Sequence, residues 1–246
     1  MIIENPKLQD VPALRALWQQ AFGETDDFLD DFFDSAFSPE RALVAKEKDQ
    51  ILGALYWLDC EMYEKPLAYI YAVATDKTHF GQGICTAIMT QLHTRMAEMG
   101  KETVLVPVNE GVRGFYRRFG YENFGGMDEM ICFAGDTPVF AEKLTACAYA
   151  KKRRQLLPEG GVLQEGAFLP FLETQMDFYG GDGWILAIHK DFAPEFLGDK
   201  ALLSGILKAL GRTQVRVRIA GETPFAMYRK AASGNPDPKY FAFALD

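Results

Sequence analysis

Histidine and cysteine, the side chains that most often bind zinc, are scarce in this 246-residue chain. There are three histidines, and no two stand at the spacing of metal ligands. The four cysteines never form a CxxC pair, and each lies beside apolar residues: Cys60, Cys85, Cys132 and Cys147. We therefore expect no metal site, and four buried, reduced thiols.

Positive charge is also in short supply. The net charge is −8 at pH 7 and the isoelectric point is about 5.0, whereas nucleic-acid binding needs a basic face. We therefore expect no nucleic-acid partner. The one basic run, Lys151–Arg154, falls near the end of a predicted helix, where a solvated cationic face explains it. A binding role for this run is the alternative.

Long apolar runs are absent. No stretch approaches the roughly 18 apolar residues that span a bilayer. The opening residues MIIENPKLQD lack the basic start and apolar run of a signal peptide. The composition, 48% hydrophobic and 24% charged, is that of a globular protein. We expect a soluble, cytoplasmic protein that does not bind to a membrane.

The first part of the chain is predicted to form two helices and then three strands. Asp10 can cap a helix from Val11 to about Phe22, and Thr25 can cap a second helix that ends at Ser38-Pro39. Strand-like runs follow, separated by turn-forming residues: Ala42–Lys46, Ile51–Asp59 and Leu67–Thr75.

A helix is predicted next, because apolar residues recur every four positions and Gly100 stands at its expected end. These residues are Ile84, Ile88, Leu92 and Met96. A strand, a short helix and a further strand follow: Thr103–Val108, Glu110–Phe119 and Tyr121–Phe133, the last interrupted at Gly125-Gly126.

Gly135–Pro138 is predicted to be a domain boundary, which gives domains at residues 1–135 and 136–246. In the second domain we expect three helices: Val139–Leu156, Phe168–Asp177 and Ala201–Leu210. We also expect four strands: Trp184–Lys190, Gln214–Ile219, Phe225–Lys230 and Tyr240–Leu245.

The turn Gly81-Gln82-Gly83 opens the helix that begins near Ile84. The first N–H groups of a helix lack internal partners and carry about half a positive charge, and glycine lets a phosphate approach them closely. No GK[ST] follows, which excludes a Walker loop, and Thr86 stands where a dinucleotide motif needs glycine. A phosphate cradle of another kind and a plain tight turn both remain open.

Val73–Met89, VATDKTHFGQGICTAIM, resembles motif A of the GNAT superfamily of N-acetyltransferases, [QR]xxGx[GA]. Phe80 stands at the usual Gln or Arg, and Cys85 at the final small residue. The resemblance implies that backbone N–H groups hold the pyrophosphate of acetyl-coenzyme A: Gly81, Gln82, Gly83, Ile84, Cys85 and Thr86. It also implies that the thioester oxygen is bound at the end of the preceding strand, by Val73, Ala74 or Thr75.

Val106–Phe124 resembles a second stretch of the superfamily, N-x-x-x-x-x-[LF]-Y-x-x-x-G-[FY]. The matching positions are Asn109, Phe115, Tyr116, Gly120 and Tyr121. The resemblance implies that the Tyr116 hydroxyl protonates the sulfur of coenzyme A, and that Asn109 belongs to the cofactor site. A core tyrosine packed beside Phe115 and Phe119 is the alternative for Tyr116.

The ending PFAMYRKA…YFAFALD resembles the enhanced-intracellular-survival (Eis) type of GNAT protein. The implied fold is α+β: a central, mostly antiparallel twisted sheet flanked by helices, plus a smaller C-terminal GNAT-like α/β region without a cofactor site. In that type the terminal carboxylate acts as the base, and this role falls on Asp246 here.

The expected function is transfer of the acetyl group of acetyl-coenzyme A to an amine of a small molecule or protein. Alternatives are a catalytically weak acyl-CoA-binding sensor and a scaffold whose glycines only form a turn. Asp59 or Glu61 could act as base instead, or water could relay the proton. Three acidic residues lie just before the second helix or in its first turn and could attract the amine electrostatically: Glu24, Asp26 and Asp27. A homodimer is left open.

Overall fold

The computed structural model describes residues 1–230 and 237–243. The described chain divides into two compact units. The first consists of Met1–Leu105, Gly166–Phe171 and Lys230. The second consists of Val106–Glu165, Leu172–Arg229 and residues 237–243. The predicted domain boundary at residue 135 stays a prediction.

The first unit contains three helices and five strands. In chain order they are β1 (Ile2–Glu4), α1 (Val11–Phe22), α2 (Asp26–Ser35), β2 (Ala42–Glu47), β3 (Gln50–Met62), β4 (Lys65–Thr75), α3 (Ile84–Glu98) and β5 (Glu102–Leu105). The strands lie in the order β1-β2-β3-β4-β5, antiparallel as far as β4, while β5 runs parallel to β4. The predicted helices and strands of this part are confirmed, although β5 is shorter than Thr103–Val108.

Asp10 precedes α1 as predicted, but its side chain does not cap that helix. Asp10 ends a short 3-10 turn, and its carboxylate instead accepts hydrogen bonds from the Lys7 N–H (2.7 Å) and Lys46 Nζ (2.6 Å). Thr25 does cap α2, because its hydroxyl accepts from the Phe28 N–H at 3.3 Å. One of the two predicted caps is therefore wrong.

Aromatic side chains hold α1 and α2 against the sheet of the first unit. The ring of Trp18 lies 4.5 Å from Phe32, 5.0 Å from Tyr56 and 5.7 Å from Tyr71, between centroids. All four residues are buried. Burial of each such side chain contributes roughly 1.5–3 kcal/mol, which makes this cluster a main source of stability for the unit.

The second unit contains three complete helices, the last part of a fourth helix, and a six-stranded sheet. Its elements are α4 (Glu110–Arg117), β6 (Glu122–Phe133), β7 (Glu142–Leu144), α5 (Ala146–Leu156), α6 (Phe168–Gln175, whose first four residues belong to the first unit), β8 (Asp177–Gly181), β9 (Trp184–His189), β10 (Phe192–Leu197), α7 (Leu203–Ala209) and β11 (Gln214–Arg229). The strand order is β6-β11-β10-β9-β8-β7, antiparallel except between β10 and β11.

Several predictions for this unit are wrong in detail. The helix predicted from Val139 begins only at Ala146, because the Thr145 hydroxyl caps it by accepting from the Ala148 N–H (3.3 Å), and β7 precedes it. The strands β8 and β10 are missing from the prediction. The two strands predicted near the end of this unit are one strand, β11, with a bulge between Ala220 and Pro224.

The predicted strand Tyr240–Leu245 is not present over Tyr240–Phe243. These residues contain only an isolated parallel bridge between Tyr240 and Gly161. Leu245 lies outside the described residues. The segment Lys239–Phe243 is nevertheless bound to the chain before α6, since the Val162 N–H donates to the Tyr240 carbonyl (2.9 Å).

The basic run Lys151–Arg154 ends α5 as predicted, but it is not a solvated face throughout. Arg153 is buried and forms a bidentate ion pair with the buried Glu195. The distances are 2.9 Å from Nε to Oε2 and 3.0 Å from Nη2 to Oε1. Arg154, next to it, is exposed and pairs with Glu165 at the surface (2.6 Å). Periodicity alone does not show that a single residue of the run turns inward.

All four thiols are free, but the prediction of burial holds for only two of them. Cys60 and Cys132 are buried, Cys85 is half-buried, and Cys147 is exposed in the first turn of α5. The apolar neighbours of Cys147 in sequence lie on other faces of that helix, which explains the error.

The expected fold class is confirmed, since each unit combines helices with a mixed, mainly antiparallel sheet. Within residues 1–230 and 237–243, no helix has both the length and the apolar character that crossing a membrane requires.

Replacing Arg153 with leucine should lower the free energy of unfolding by roughly 3–5 kcal/mol, because Glu195 would be left as a buried, unpaired charge. Arg154→Leu is the matched control, and its exposed ion pair predicts a loss of at most about 1 kcal/mol. Chemical denaturation of both variants measures the difference. Equal losses would contradict the burial of Arg153.

Candidate functional site

The strand β4 is interrupted by a β-bulge. Its register against β3 passes from Tyr56 opposite Tyr71 to Ala54 opposite Ala74, so Ala72 and Val73 share one partner residue. Ala72 has φ +48°, in the left-handed region that non-glycine residues rarely adopt. Such bulges re-aim the backbone and are common at functional sites. The candidate thioester-binding residues therefore lie at or just beyond this bulge.

The pairing of β4 with β5 also stops early. The parallel register ends at Tyr69 opposite Val104, whereas β4 continues to Thr75. Val73 and Thr75 are half-buried and Ala74 is buried. The last six residues of β4 thus extend beyond β5, and their backbone groups on that side are not used by the β4–β5 ladder.

The glycine turn adopts a conformation that glycine favours. Gly81 and Gly83 have φ +79° and +77°, and a Cβ built at either would meet no atom within 4 Å. Backbone conformation rather than crowding therefore selects glycine at both positions. The space above the turn is open to an approaching group.

Gly83 is the N-cap of α3, and glycine has no side-chain oxygen with which to cap a helix. The first backbone bond of the helix runs from the Ala87 N–H to the Gly83 carbonyl (2.9 Å). The N–H groups of Ile84, Cys85 and Thr86 precede that bond and so have no acceptor within the helix. Together with the helix dipole they form a site suited to an anion.

Gly53, on β3, fixes the position of the helix that carries these N–H groups. A Cβ at Gly53 would lie 2.9 Å from Ile84 Cγ2 and 3.0 Å from the Ala74 carbonyl oxygen. Glycine therefore permits the first turn of α3 to pack directly on the sheet. The predicted apolar stripe of α3 is buried at all four positions. The sequence gives no separate signal for the role of Gly53.

Asp76 organises the chain between β4 and the glycine turn. Its carboxylate accepts hydrogen bonds from the Thr78 N–H (2.8 Å), from the Thr78 hydroxyl and from Gln20 of α1 (3.3 Å), and it lies 3.0 Å from His79 Nδ1. The bonds from Thr78 and His79 hold the pKa of Asp76 well below its usual range. Residue type alone did not single out Asp76.

Phe80 and Cys85 are the two departures from the family pattern. Phe80 is 67% exposed, and its apolar ring cannot supply the polar contact that Gln or Arg would make beside the turn. Burial raises the pKa of the Cys85 thiol to about 11, so this side chain is a neutral thiol rather than a nucleophile near pH 7. Neither side chain occupies the open space above the glycines.

Asn109 and Tyr116 belong to the second unit, on α4. The Asn109 side chain caps this helix by accepting from the Val112 N–H (3.0 Å). Tyr116 is buried, with ring centroids 5.4 Å from Phe115 and 5.7 Å from Tyr121. The burial of Tyr116 and its contact with Phe115 agree with the alternative, a core tyrosine, and the acid role stays a prediction.

Arg113 fixes α4 in the second unit, a role that the sequence did not indicate. The buried guanidinium donates to Asn123 Oδ1 (2.9 Å) and to the Pro224 carbonyl (3.1 Å), and Nε pairs with Glu110 (2.8 Å). These bonds join the helix that carries Tyr116 to β6 and β11.

The other acidic candidates are mostly engaged elsewhere. Asp59 pairs with Lys101 (2.5 Å), and Asp26 pairs with Arg15 (3.7 Å). Glu24 is half-buried, and burial raises its pKa. Asp246 lies outside the described residues. Over residues 1–230 and 237–243, no group of three or more His, Cys, Asp or Glu side chains could hold a metal ion.

Residues 3–124 match the family described as "Acetyltransferase (GNAT) domain". The matched range contains the bulged strand, the glycine turn and α4. Through this domain the chain belongs to the GNAT superfamily. No protein with a curated description is detectably similar to the sequence.

Solved structures of other GNAT proteins have similar folds. A GCN5-related N-acetyltransferase from Kribbella flavida is 14% identical, with a TM-score of 0.72 over 92% of this chain and 70% of that one. A GCN5-related N-acetyltransferase from Anabaena variabilis is 13% identical, with a TM-score of 0.73 over 93% and 72%.

Eis1 from Mycobacterium abscessus is 13% identical, with a TM-score of 0.67 over 91% of this chain and 66% of that one. At this identity the likeness concerns the fold, and it extends well beyond the GNAT domain into the second half of the chain. The expected relation to Eis-type folds agrees with this finding.

Replacing Asp76 with asparagine should lower the melting temperature at neutral pH. Because the pKa of Asp76 is lowered in the folded state, its contribution is present above the unfolded value of about 3.9 and is lost as the pH falls further. The difference in melting temperature from the parent should therefore be steady between about pH 5 and 8 and shrink below about pH 4. Asp49→Asn, in the exposed β2–β3 turn, is the control, and a pH-independent difference for Asp76→Asn would contradict the assignment.

Proposed function

We propose that this GNAT protein transfers the acetyl group of acetyl-coenzyme A to an amine of a small molecule or protein. The observation that carries the proposal is the open N-terminus of α3, with Gly81 and Gly83 in left-handed conformation and three N–H groups without an acceptor in the helix. This arrangement lies at the end of a bulged strand.

The pyrophosphate would be held by the backbone of the glycine turn and the first turn of α3. The candidate donors are Gly81, Gln82, Gly83, Ile84, Cys85 and Thr86. Backbone N–H groups at a helix start bind phosphate without any particular side chain. For this reason Phe80 and Cys85 are compatible with cofactor binding.

Acetyl transfer itself needs a polarised carbonyl and an acid for the departing thiolate. We assign the first task to a backbone N–H beyond the bulge, at Val73, Ala74 or Thr75, since preorganised donors stabilise developing negative charge. We assign the second to the Tyr116 hydroxyl, because a positioned phenol can donate a proton to a leaving group. Asn109 remains a proposed member of the cofactor site through the loop that precedes α4.

The amine must lose a proton as it attacks. Asp246 is the proposed acceptor of that proton, on the basis of the Eis-type resemblance. Asp59 is the weaker candidate, because its carboxylate is paired with Lys101.

A second candidate function is binding of acyl-coenzyme A without appreciable turnover. The exposed Phe80 favours it, since this position usually carries Gln or Arg in the superfamily. A screen of amine acceptors separates the two functions, because only an enzyme releases free coenzyme A in proportion to acceptor.

Saturating acetyl-coenzyme A should raise the melting temperature of the protein. At a hundredfold excess over its dissociation constant the ligand stabilises the fold by about 2.7 kcal/mol, which corresponds to several degrees. Gly83→Val should abolish this rise, because valine is strained at positive φ and its side chain enters the open space above the turn.

Gly100→Val is the matched control for that experiment. Gly100 follows the other end of α3, has φ +65° and also has no atom within 4 Å of a built Cβ. Both variants should lose similar intrinsic stability, but only Gly83→Val should lose the response to acetyl-coenzyme A. No response in the parent would exclude the cofactor cradle.

Tyr116→Phe should lower turnover about a hundredfold at every pH, since it removes the proposed acid. The thermal response to acetyl-coenzyme A should be kept. Tyr121→Phe removes a hydroxyl from the neighbouring buried ring and serves as the control, with turnover close to the parent's. Parent-like turnover of Tyr116→Phe would contradict the acid role.

A further inference from the structure

Gly53 of β3 lies within contact range of both halves of the proposed cofactor site. One half is the start of α3, whose N–H groups are assigned to the pyrophosphate. The other half is the end of β4, where a backbone N–H is assigned to the thioester oxygen. A Cβ built at Gly53 would lie 2.9 Å from Ile84 Cγ2 of α3 and 3.0 Å from the Ala74 carbonyl oxygen of β4. A side chain at this one position would therefore press on both halves.

The backbone of β3 holds the end of β4 at the same place. Gly53 pairs with Thr75, and the Asp76 N–H donates to the Leu52 carbonyl (2.8 Å). Because backbone groups along a strand point alternately to its two sides, the Thr75 N–H points away from β3. On that side of β4 the pairing with β5 has already ended. The position of a candidate thioester donor thus depends on β3.

The helix α3 passes over a glycine at its start and over a tryptophan near its end. Gly53 and Trp57 are four residues apart, so they lie on the same face of β3. Ile84 and Ile88 both reach the space over Gly53, where Ile88 Cδ1 would lie 3.0 Å from a built Cβ. Arg95, in the last turn, lies over the Trp57 ring, with Cζ 6.0 Å from the ring centre. Glycine therefore lets the first turn of α3 lie closer to the sheet than a side chain would allow.

The atoms around Gly53 are held in place. Ile84, Ile88 and Ala74 are all buried, and the Ala74 oxygen belongs to the backbone of β4. Non-bonded carbon atoms in contact lie about 3.5–4.0 Å apart, so a methyl group at Gly53 would displace its neighbours by roughly half an ångström. Such a displacement changes the distance between the start of α3 and the end of β4.

We propose that Gly53 is a positioning residue for the acetyl transfer. Its lack of a side chain sets the distance between the N–H groups assigned to the pyrophosphate and the N–H assigned to the thioester oxygen. Acetyl-coenzyme A spans both sets of groups in one molecule, so its affinity and the alignment of its carbonyl depend on this distance. This inference rests on the proposed function, and it gives a role to a residue outside the proposed contacts with the cofactor.

Gly53→Ala and Gly180→Ala form a matched pair of variants. Gly180 is buried in β8 of the second unit, and a Cβ there would lie 2.8 Å from Leu144 Cδ1 and 3.4 Å from the Trp184 carbonyl oxygen. Both variants should lower the melting temperature, because each crowds a buried strand. Only Gly53→Ala should weaken the binding of acetyl-coenzyme A, with a Kd about fivefold higher than the parent's in calorimetric titration.

ADP separates an altered distance from a damaged pyrophosphate site. It carries a pyrophosphate but no thioester, so it engages only the α3 half of the proposed site. A helix that moves as a unit keeps its own N–H groups in place, so the Kd of ADP for Gly53→Ala should stay within about twofold of the parent's. A variant that is only destabilised would show the same loss for ADP and for acetyl-coenzyme A.

A second variant restores space on the helix side. Ile84→Ala in the Gly53→Ala background removes Cγ2, the atom nearest to the added methyl group, and keeps the backbone N–H. The double variant should bind acetyl-coenzyme A at least about twofold more tightly than Gly53→Ala, even if its melting temperature is no higher. A purely structural role predicts no such recovery. If Gly53→Ala does not fold, the double variant is compared with the parent, and it should weaken acetyl-coenzyme A more than ADP.

Four results would overturn the positioning role. They are parent-like affinity of Gly53→Ala for acetyl-coenzyme A, equal loss of ADP and acetyl-coenzyme A, equal effects of the two glycine variants, and no recovery in the double variant. A parent that binds acetyl-coenzyme A but not millimolar ADP would also overturn it, since the pyrophosphate site would not be an independent anchor. A parent that does not bind acetyl-coenzyme A overturns the proposed function itself, so the two failures are distinguishable.

Discussion

The unmet hydrogen bonds at the start of α3 are the constraint on which the first unit depends. Three N–H groups at a helix start must find an acceptor, and glycine at the N-cap cannot provide one. The space beside Gly81 and Gly83 is left open instead of being filled by a side chain. Gly53 lets α3 pack closely on β3, and Asp76 fixes the chain that leads from β4 into the turn. The energetic cost of the uncapped helix is thus tied to the proposed site for the pyrophosphate.

The second unit contains a buried ion pair between Arg153 and Glu195. A buried ion pair contributes little net stability over an apolar replacement, but the loss of one partner is costly. Four stretches of chain meet at the Glu195 carboxylate or beside it: α5, the loop before α6, β10 and the segment Lys239–Phe243. These bonds therefore matter more for specifying which segments come together than for adding to the stability of the fold.

Sequence patterns predicted the first unit well, because its signals are local. The four-residue period of α3, the Thr25 cap and the glycine turn each act within a few residues of chain. The second unit was predicted less well. β10 is a short strand, and its buried glutamate breaks the apolar run that would have predicted a buried strand. β11 was predicted as two strands because Gly221 and Pro224 interrupt the strand pattern at its bulge. The inward turn of Arg153 depends on Glu195, which lies 42 residues away in sequence and cannot be foreseen from helix periodicity.

The candidate site was predictable to the extent that it consists of backbone. Gly81 and Gly83 are visible in the sequence because their conformation needs glycine, and the residues around them matter mainly through their N–H groups. The bulge at Ala72 could not be predicted from the sequence, because alanine does not indicate a positive φ. The same reasoning applies to Phe80 and Cys85, which depart from the family pattern. The proposed cradle consists of N–H groups, so it would tolerate a change of side chain as long as the space above the two glycines stays open, as it does here.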